Sequence, residues 1–246
     1  MQNNSDTNEM NSLDKLSGEY TKPDPGRLVD QKLISMIVEE VLPLINGPEV
    51  LEMGFGDDQW TERIIKKIGH SNVVDGSANL VNLSKEKYKG AITAYTSLFE
   101  TFSPDKKFDT ILASFVLEHV EDPVQVLKKS KEWLKETGKL IAIVPHAGSL
   151  HRRLAVAMGV QDNVTKVGPI DIRMGHRRVY DMQMFEKDLI SAGYTIESKK
   201  GYFTKLLPQS MMTGMSDEML KGFMELSKQL PVEYAMSIGF ICSKGK

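Results

Sequence analysis

Cysteine is almost absent from the sequence, because Cys242 is the only one among 246 residues. A single thiol cannot form an internal disulfide, and it cannot supply the ligands of a cysteine-rich zinc site or an iron–sulfur cluster. This composition suits a reducing compartment, so we expect a cytoplasmic protein. The sequence also shows no cluster of Asp, Glu or His ligands, and we expect no metal.

Long apolar runs and a strong net charge are missing as well. No apolar stretch approaches the roughly 20 residues that span a bilayer, and the first residues lack the apolar core of a signal peptide. We therefore expect no membrane insertion, and a flexible polar leader over residues 1–27. The formal net charge is −2, so a broad positive surface for nucleic acid is not expected.

Residues 28–246 are predicted to form a single domain in which helical and strand patterns alternate. Helical spacing of apolar residues covers 30–45, 60–68, 78–88, 123–135 and 182–192. Short apolar runs typical of strands cover 49–53, 72–75, 91–95, 108–113, 139–144, 194–202 and 234–242. Strands that alternate with helices through short connections predict an α/β fold with a mostly parallel sheet covered on both faces.

Two segments interrupt this alternation, at residues 146–178 and 203–231. Both follow strands, and loops beyond strand ends are where open α/β sheets bind their ligands. We therefore predict that they are cap segments over a substrate. The second segment is rich in methionine, from Met211 to Met224, which is typical of an adaptable core or the face of a homodimer; a lid over an apolar acceptor is the alternative.

A glycine pair follows the first predicted strand, in the run EMGFGDD at residues 52–58. Gly54 and Gly56 have no Cβ, so the backbone of this turn can approach a nucleotide closely. Asp75 lies about twenty residues later, at the end of the second strand, where a carboxylate accepts hydrogen bonds from the hydroxyls of a ribose. This arrangement predicts an adenosine group and leaves the cofactor open.

The acidic residues of the loop favour a sulfonium cofactor over a dinucleotide. A nicotinamide dehydrogenase requires a third glycine in the pattern G-x-G-x-x-G, where Gln59 stands here. Asp57 and Asp58 would also place negative charge at the helix end that should face a pyrophosphate. S-adenosylmethionine has no phosphate and carries a positive centre, so it tolerates these acids and Glu52.

Residues 48–145 resemble the class I S-adenosylmethionine-dependent methyltransferases. The run VLEMGFGDD at 50–58 is similar to their first motif, E/D-x-G-x-G-x-G, with Asp58 in place of the third glycine. Asp75, the run FDTILASFVLEHV at 108–120 and the run GKLIAIVP at 138–145 follow in the order and spacing of that family. The resemblance implies a Rossmann-like, doubly wound, seven-stranded sheet with the last strand antiparallel. It also implies that S-adenosylmethionine is the methyl donor and S-adenosylhomocysteine the product.

The resemblance further implies a donor site at the strand ends. Glu52 would organise the loop, Asp75 would bind the ribose, and the segment after the third strand would flank the adenine. The leader would fold over the donor, as N-terminal segments do in related enzymes. The residues predicted to bind the donor are Glu52, Gly54, Gly56, Asp75, Ser97, Leu98, Ser114 and Tyr20.

Histidines and arginines at the same sheet edge are the candidates for the acceptor side. Histidine suits proton removal from a hydroxyl or ammonium near neutral pH, and Arg grips carboxylate or phosphate groups in bidentate fashion. His70, on the opposite edge, is predicted to be structural. The predicted catalytic residues are His119, His146 and His176, and the predicted substrate-binding residues are Arg152, Arg177 and Arg178. A packing role for His119 and solvated positions for the arginines are the alternatives.

The sequence therefore predicts a methyltransferase that acts on an oxygen or nitrogen atom of a small-molecule acceptor, one that carries an anionic group if the arginines bind it. The insertions are sized for a cap rather than for a separate recognition domain. The alternatives are a methyltransferase acting on a protein, peptide or RNA, and a non-catalytic adenosine-binding protein of the same fold.

Overall fold

All seven predicted strands form in the computed structural model, which describes residues 4–18 and 25–245. The strands are β1 (Val50–Met53), β2 (Ser71–Asp75), β3 (Ile92–Thr96), β4 (Phe108–Ser114), β5 (Leu134–Pro145), β6 (Tyr194–Tyr202) and β7 (Ser237–Lys244). The helices are α1 (Asn4–Ser17), α2 (Pro25–Val41), α3 (Gln59–Ile68), α4 (Ala78–Lys87), α5 (Pro123–Trp133), α6 (Leu150–Ala157), α7 (Pro169–Arg173), α8 (Met182–Ser191) and α9 (Asp217–Ser227).

The strands form one sheet in the order β3-β2-β1-β4-β5-β7-β6. Neighbouring strands from β3 to β5 pair in parallel, and β7 runs antiparallel to both β5 and β6. The predicted Rossmann-like sheet with an antiparallel last strand is thus confirmed. The direction of winding reverses between β1 and β4, which is where open α/β sheets bind ligands at the carboxyl ends of their strands.

Each face of the sheet is buried by a different set of helices. Alternate residues of β5 enter two separate clusters: Leu140, Ala142 and Val144 pack with α5 and α8, while Ile141 and Ile143 pack with α2, α3 and α9. This alternation follows from the two-residue period of a strand.

The polar leader is more ordered than predicted. Residues 4–17 form α1, and residues 25–27 already belong to α2. The Asp14 side chain accepts hydrogen bonds from the Ser77 hydroxyl (2.6 Å) and the Asn79 amide (3.1 Å), at the start of α4. The tertiary contact with α4 stabilises a helix that the polar composition of this segment did not indicate.

The boundary between α5 and β5 also differs from the prediction. The helix ends at Trp133, and β5 begins at Leu134, so Gly138, which lies between the predicted helix and the predicted strand, is inside β5. A Cβ at Gly138 would lie 2.8 Å from the carbonyl oxygen of Phe108, so the position serves a close approach of two strands. The first insertion contains α6 and α7 and the second contains α9. Within the residues described, no helix has the length and apolarity needed to cross a membrane.

Candidate functional site

The loop after β1 is held open by glycine geometry and touches the segment after β4. Gly54 and Gly56 have φ angles of 81° and 54°, in the region that disfavours side chains. The Gly54 amide donates to the carbonyl of Val74 (2.8 Å), and a Cβ at Gly54 would lie 2.7 Å from Cγ1 of Val116. The loop therefore leaves an open surface at Gly56 and packs closely at Gly54.

Asp58, the departure from the family motif, adopts the conformation that a glycine would take. Its φ is 61°, and aspartate is among the few non-glycine residues that tolerate this region. Its carboxylate forms an ion pair with Lys87, which offsets one of the negative charges that weighed against a pyrophosphate. The selection against a dinucleotide thus rests more on Asp57 and the missing glycine.

Glu52 is buried beneath this loop. Its Oε2 accepts a hydrogen bond from the Thr61 hydroxyl, while its Oε1 is buried without a partner in the described part of the chain. Burial raises the pKa of Glu52 well above its usual range, and Asp58 and Asp57 raise it further. A buried carboxyl oxygen without a partner is available for a hydrogen bond with a bound ligand.

Asp75 connects the loop to the end of β2. Its Oδ2 accepts a hydrogen bond from the Phe55 amide (2.8 Å), and its Oδ1 accepts one from the Ser77 amide (2.7 Å). Burial raises the pKa of Asp75, and these two hydrogen bonds oppose that shift. Each carboxylate oxygen retains a second lone pair, so both can still accept from ribose hydroxyls.

The predicted adenine edge lies at the ends of β2 and β3, and α1 covers it. The Ser97 amide donates to the Asp75 carbonyl (3.0 Å). A Cβ at Gly76 would lie 2.4 Å from Cδ1 of Leu13 and 3.1 Å from Cδ2 of Leu98. Leu13 of α1 therefore lies close to Gly76, next to Leu98, which is expected to flank the adenine. Tyr20, predicted to fold over the donor, lies outside the described residues.

Three titratable side chains meet beyond β4. Glu118, His119 and His176 bring their ligating atoms within 4.8 Å of one another, and the two imidazole rings stack edge to face at 4.7 Å. Nδ1 of His176 also lies 3.3 Å from Oδ1 of Asp171. The sequence suggested no clustered metal ligands, but the fold unites two adjacent residues with a distant histidine that could together hold a cation.

Burial controls the protonation of this cluster. Glu118 is 1% exposed, and neither of its carboxyl oxygens has a hydrogen-bond partner among the described residues. Burial raises the pKa of Glu118 to about 7, and burial together with the charge of His176 lowers the pKa of His119 to about 4. Ser114 lies at the end of β4 and likewise buries a hydroxyl without a partner in the part described.

His146 is placed differently from the other two predicted catalytic histidines. It is buried where β5 ends, and its Nδ1 lies 3.1 Å from the carbonyl oxygen of Ala235. Burial lowers its pKa. These contacts give His146 a role in fixing the start of the first insertion, and it does not belong to the cluster around Glu118.

The predicted substrate-binding arginines are engaged within the protein. Arg152 donates to Asp171 (2.6 Å) and to two carbonyls, of Val164 and Lys166. Arg178 donates to the carbonyls of three residues after β4, Leu117, Val120 and Glu121. Arg177 donates to the His119 carbonyl and lies 3.8 Å from Glu9. Arg177 and Arg178 thus clamp the insertion onto the segment after β4, whereas the hydrogen bonds of Arg152 lie within the insertion.

Two buried charged residues were missed in the sequence. Glu118 stands beside the predicted His119, and its place in a nearly apolar run was the available signal. Lys205, 2% exposed, follows β6 in a segment of ordinary composition, and only the fold reveals its burial. Both lie at the carboxyl edge of the sheet.

Comparison of this chain with known proteins identifies a family and individual relatives. The sequence family described as "Methyltransferase domain" matches residues 27–199. The ubiquinone biosynthesis O-methyltransferase of Coxiella burnetii is 28% identical over 145 residues, which are 56% of this chain and 61% of that protein. The chain thus spans less than two thirds of the length of this curated relative.

Two solved structures share the fold. One is the N-methyltransferase NodS of Bradyrhizobium japonicum in complex with S-adenosylhomocysteine, with a TM-score of 0.59, 14% identity, and 94% of this chain and 97% of that chain covered. The other is a putative methyltransferase in complex with the Trm112 methyltransferase activator of Haloferax volcanii, with a TM-score of 0.64, 12% identity, and 95% and 99% covered.

Proposed function

The chain belongs to the methyltransferase domain family, and on that premise we propose that it transfers a methyl group from S-adenosylmethionine to an oxygen or nitrogen atom of a small-molecule acceptor. The observation that carries the proposal is the buried cluster of Glu118, His119 and His176. It follows directly after Val116, which packs against the glycine loop. Proton-accepting groups therefore lie beside the expected donor site.

The donor would be held by the residues at the ends of β1 to β4. Asp75 would accept from the ribose hydroxyls, and Ser97 and Leu98 would flank the adenine. The unpartnered oxygens of Glu52 and Ser114 would face the methionine part. Bound there, the donor supplies an electrophilic methyl group that a lone pair of the acceptor displaces from sulfur.

Glu118 is the group best suited to accept the proton of an acceptor. A general base works best when its pKa is near the operating pH, and the pKa of Glu118 is raised to about 7 by burial. His119 stays neutral at that pH because its pKa is lowered to about 4. Turnover should therefore rise with pH through about 7, as Glu118 ionises.

The cap segments support a small acceptor. His176 reaches the cluster from the end of the first insertion, so this segment closes the site over Glu118. The name of the Coxiella burnetii relative states an oxygen acceptor, which agrees with a site that contains a base. An enclosed cluster of this kind excludes bulk water from the reacting groups.

Calorimetric titration of the full chain with S-adenosylhomocysteine and, separately, with NAD tests the donor. We expect the former to bind and the latter not to; the reverse would contradict the proposal. Transfer from labelled S-adenosylmethionine to a panel of phenols and amines then tests the acceptor class. Labelling of protein or RNA without labelling of the panel would replace the small-molecule assignment.

The role of Glu118 is tested with Glu118→Gln against Glu121→Gln, an exposed neighbour. Loss of a general base reduces turnover by about 10²–10⁴-fold. We expect that loss only in Glu118→Gln, with unchanged affinity for S-adenosylhomocysteine. Turnover equal to the parent protein would exclude Glu118 as the base.

Three predictions from the sequence are carried forward as proposals: residues 28–246 form one domain, the protein is cytoplasmic, and it forms a homodimer. The exposed side chains of Met211 and Met219 in the second insertion support the homodimer face. Sedimentation of the parent protein and of a double Met211→Gln, Met219→Gln variant tests it. A parent monomer at micromolar concentration would contradict it.

A further inference from the structure

The two cap insertions begin next to each other. The Met236 amide donates to the carbonyl of Phe203 (2.6 Å), just beyond β6, and the His146 amide, just beyond β5, donates to the carbonyl of Met236 (2.8 Å). The residues after β5 and the residues after β6 are thus joined across the start of β7. They share the sheet edge that carries the proposed donor site.

Lys205 lies at this junction as a buried ammonium group. It is 2% exposed, and no hydrogen bond or ion pair of its side chain is found within residues 4–18 and 25–245. The charges of Asp30 and Arg152 act on Lys205, but both side chains have other hydrogen-bond partners: Asp30 accepts from Gln209, and Arg152 pairs with Asp171. Burial of an ammonium group whose N–H donors find no acceptor is costly.

Buried polar atoms without partners occur in both chain segments that meet at this junction. Among the residues described, the buried atoms lacking a hydrogen bond include Oγ of Ser149, Nδ1 of His151 and Oγ1 of Thr204. Lys205 lies close enough to His151 to help burial lower the pKa of that imidazole to about 3, so His151 is neutral. Such groups are ordinarily satisfied in native proteins, and here one belongs to the chain neighbour of Lys205 and another to the imidazole on which its charge acts.

The backbone before Lys205 is also strained. Phe203 has a φ of 53°, a backbone conformation that is costly for bulky residues and that occurs preferentially at functional sites. Of the non-glycine residues described, Asp58, Phe115 and Phe203 are those with positive φ. They follow β1, β4 and β6, so the strain lies along the edge that carries the donor loop and the proposed base.

We infer that Lys205 and His151, with the hydroxyls of Ser149 and Thr204, bind a carboxylate group of the methyl acceptor. The inference rests on the proposed function for the identity of the ligand as an acceptor. The site offers an ammonium group whose N–H donors have no hydrogen-bond partner among the described residues, together with neutral hydroxyl and imidazole groups, and a carboxylate can accept hydrogen bonds from all of them. A dianionic phosphate would leave an excess negative charge in a buried place. Lys205 thereby takes the role that the sequence assigned to Arg152, Arg177 and Arg178.

The test is calorimetric titration of the full chain at pH 7 with benzoate, phenyl phosphate and benzyl alcohol as probes. The proteins are the parent, Lys205→Met and, as the matched control, Lys221→Met on the exposed face of α9. We expect benzoate to bind the parent and Lys221→Met equally, and Lys205→Met at least tenfold more weakly. Benzyl alcohol should bind none of them measurably.

Three outcomes would overturn the inference: no benzoate binding to the parent, equal binding to the parent and Lys205→Met, or tighter binding of phenyl phosphate than of benzoate. Each protein is also titrated with S-adenosylhomocysteine. Absence of that binding contradicts the proposed function, while the benzoate titrations report on Lys205 alone. Circular dichroism of Lys205→Met establishes that any loss of benzoate binding occurs in a folded protein.

Discussion

Replacing Lys205 by methionine should stabilise the free protein, because methionine fills similar space without a buried charge. The pKa of Lys205 falls from its ordinary 10.5 to about 8, chiefly through burial. One pKa unit corresponds to about 1.4 kcal/mol, so the protonated lysine lowers the free energy of unfolding by about 3 kcal/mol at neutral pH. For a chain of 246 residues, this raises the Tm of Lys205→Met by about 6 °C.

The gain should depend on pH in a defined way. Below pH 8 Lys205 is protonated in the folded and the unfolded state, and its destabilising effect is complete. The effect decreases between pH 8 and 10.5. Above pH 10.5 it is absent, because Lys205 is neutral in both states. Urea unfolding of the parent, Lys205→Met and Lys221→Met at pH 7, 9 and 10.5 measures this. A Lys205→Met protein less stable than the parent at pH 7, or a difference independent of pH, would refute the reasoning.

The remaining predictions concern the donor site and the clamp. Gly54→Ala should lower the free energy of unfolding, measured with urea, more than Gly56→Ala does. Both glycines have a positive φ, but only the new Cβ at position 54 would contact Val116. Equal losses of stability in the two variants would contradict the close approach of Gly54 to Val116. Asp75→Asn should weaken the binding of S-adenosylhomocysteine, measured by calorimetry, by about 10-fold or more. An unchanged affinity would show that Asp75 does not belong to the donor site. Arg178→Met should lower the free energy of unfolding by about 2 kcal/mol, and Arg177→Met should lower it less, because Arg178 donates to three carbonyls. A larger loss in Arg177→Met than in Arg178→Met, measured by urea unfolding, would be evidence against the clamp.

Local periodicity and turn chemistry were sufficient to predict the sheet. The strands are short apolar runs between glycine or polar turns, and a parallel sheet buries such runs on both faces. The glycine loop and Asp75 were predictable for a similar reason, since a close backbone approach needs residues without Cβ and these are visible in the sequence. The match of residues 27–199 to the methyltransferase domain family confirms the family that those motifs indicated.

The errors occurred where distant contacts decide the structure. Helix α1 forms in a polar segment because Asp14 and Leu13 pack on residues some sixty positions away. Arg178 appeared as a free cation for an anionic acceptor, but the fold presents it with the carbonyls after β4. A guanidinium looks the same in a sequence whether a ligand or a backbone carbonyl takes its hydrogen bonds.

The sequence by itself determined the alternation of strands and helices, the donor loop and the family, because each depends on residues close together in the chain. Only the tertiary structure decided which charged groups lose their water. Glu118 meets His176 across an insertion, and Lys205 is buried beside His151 because β5 and β6 end on either side of β7. Desolvation depends on everything that packs around a group, so the protonation of these two residues became evident only in the folded chain.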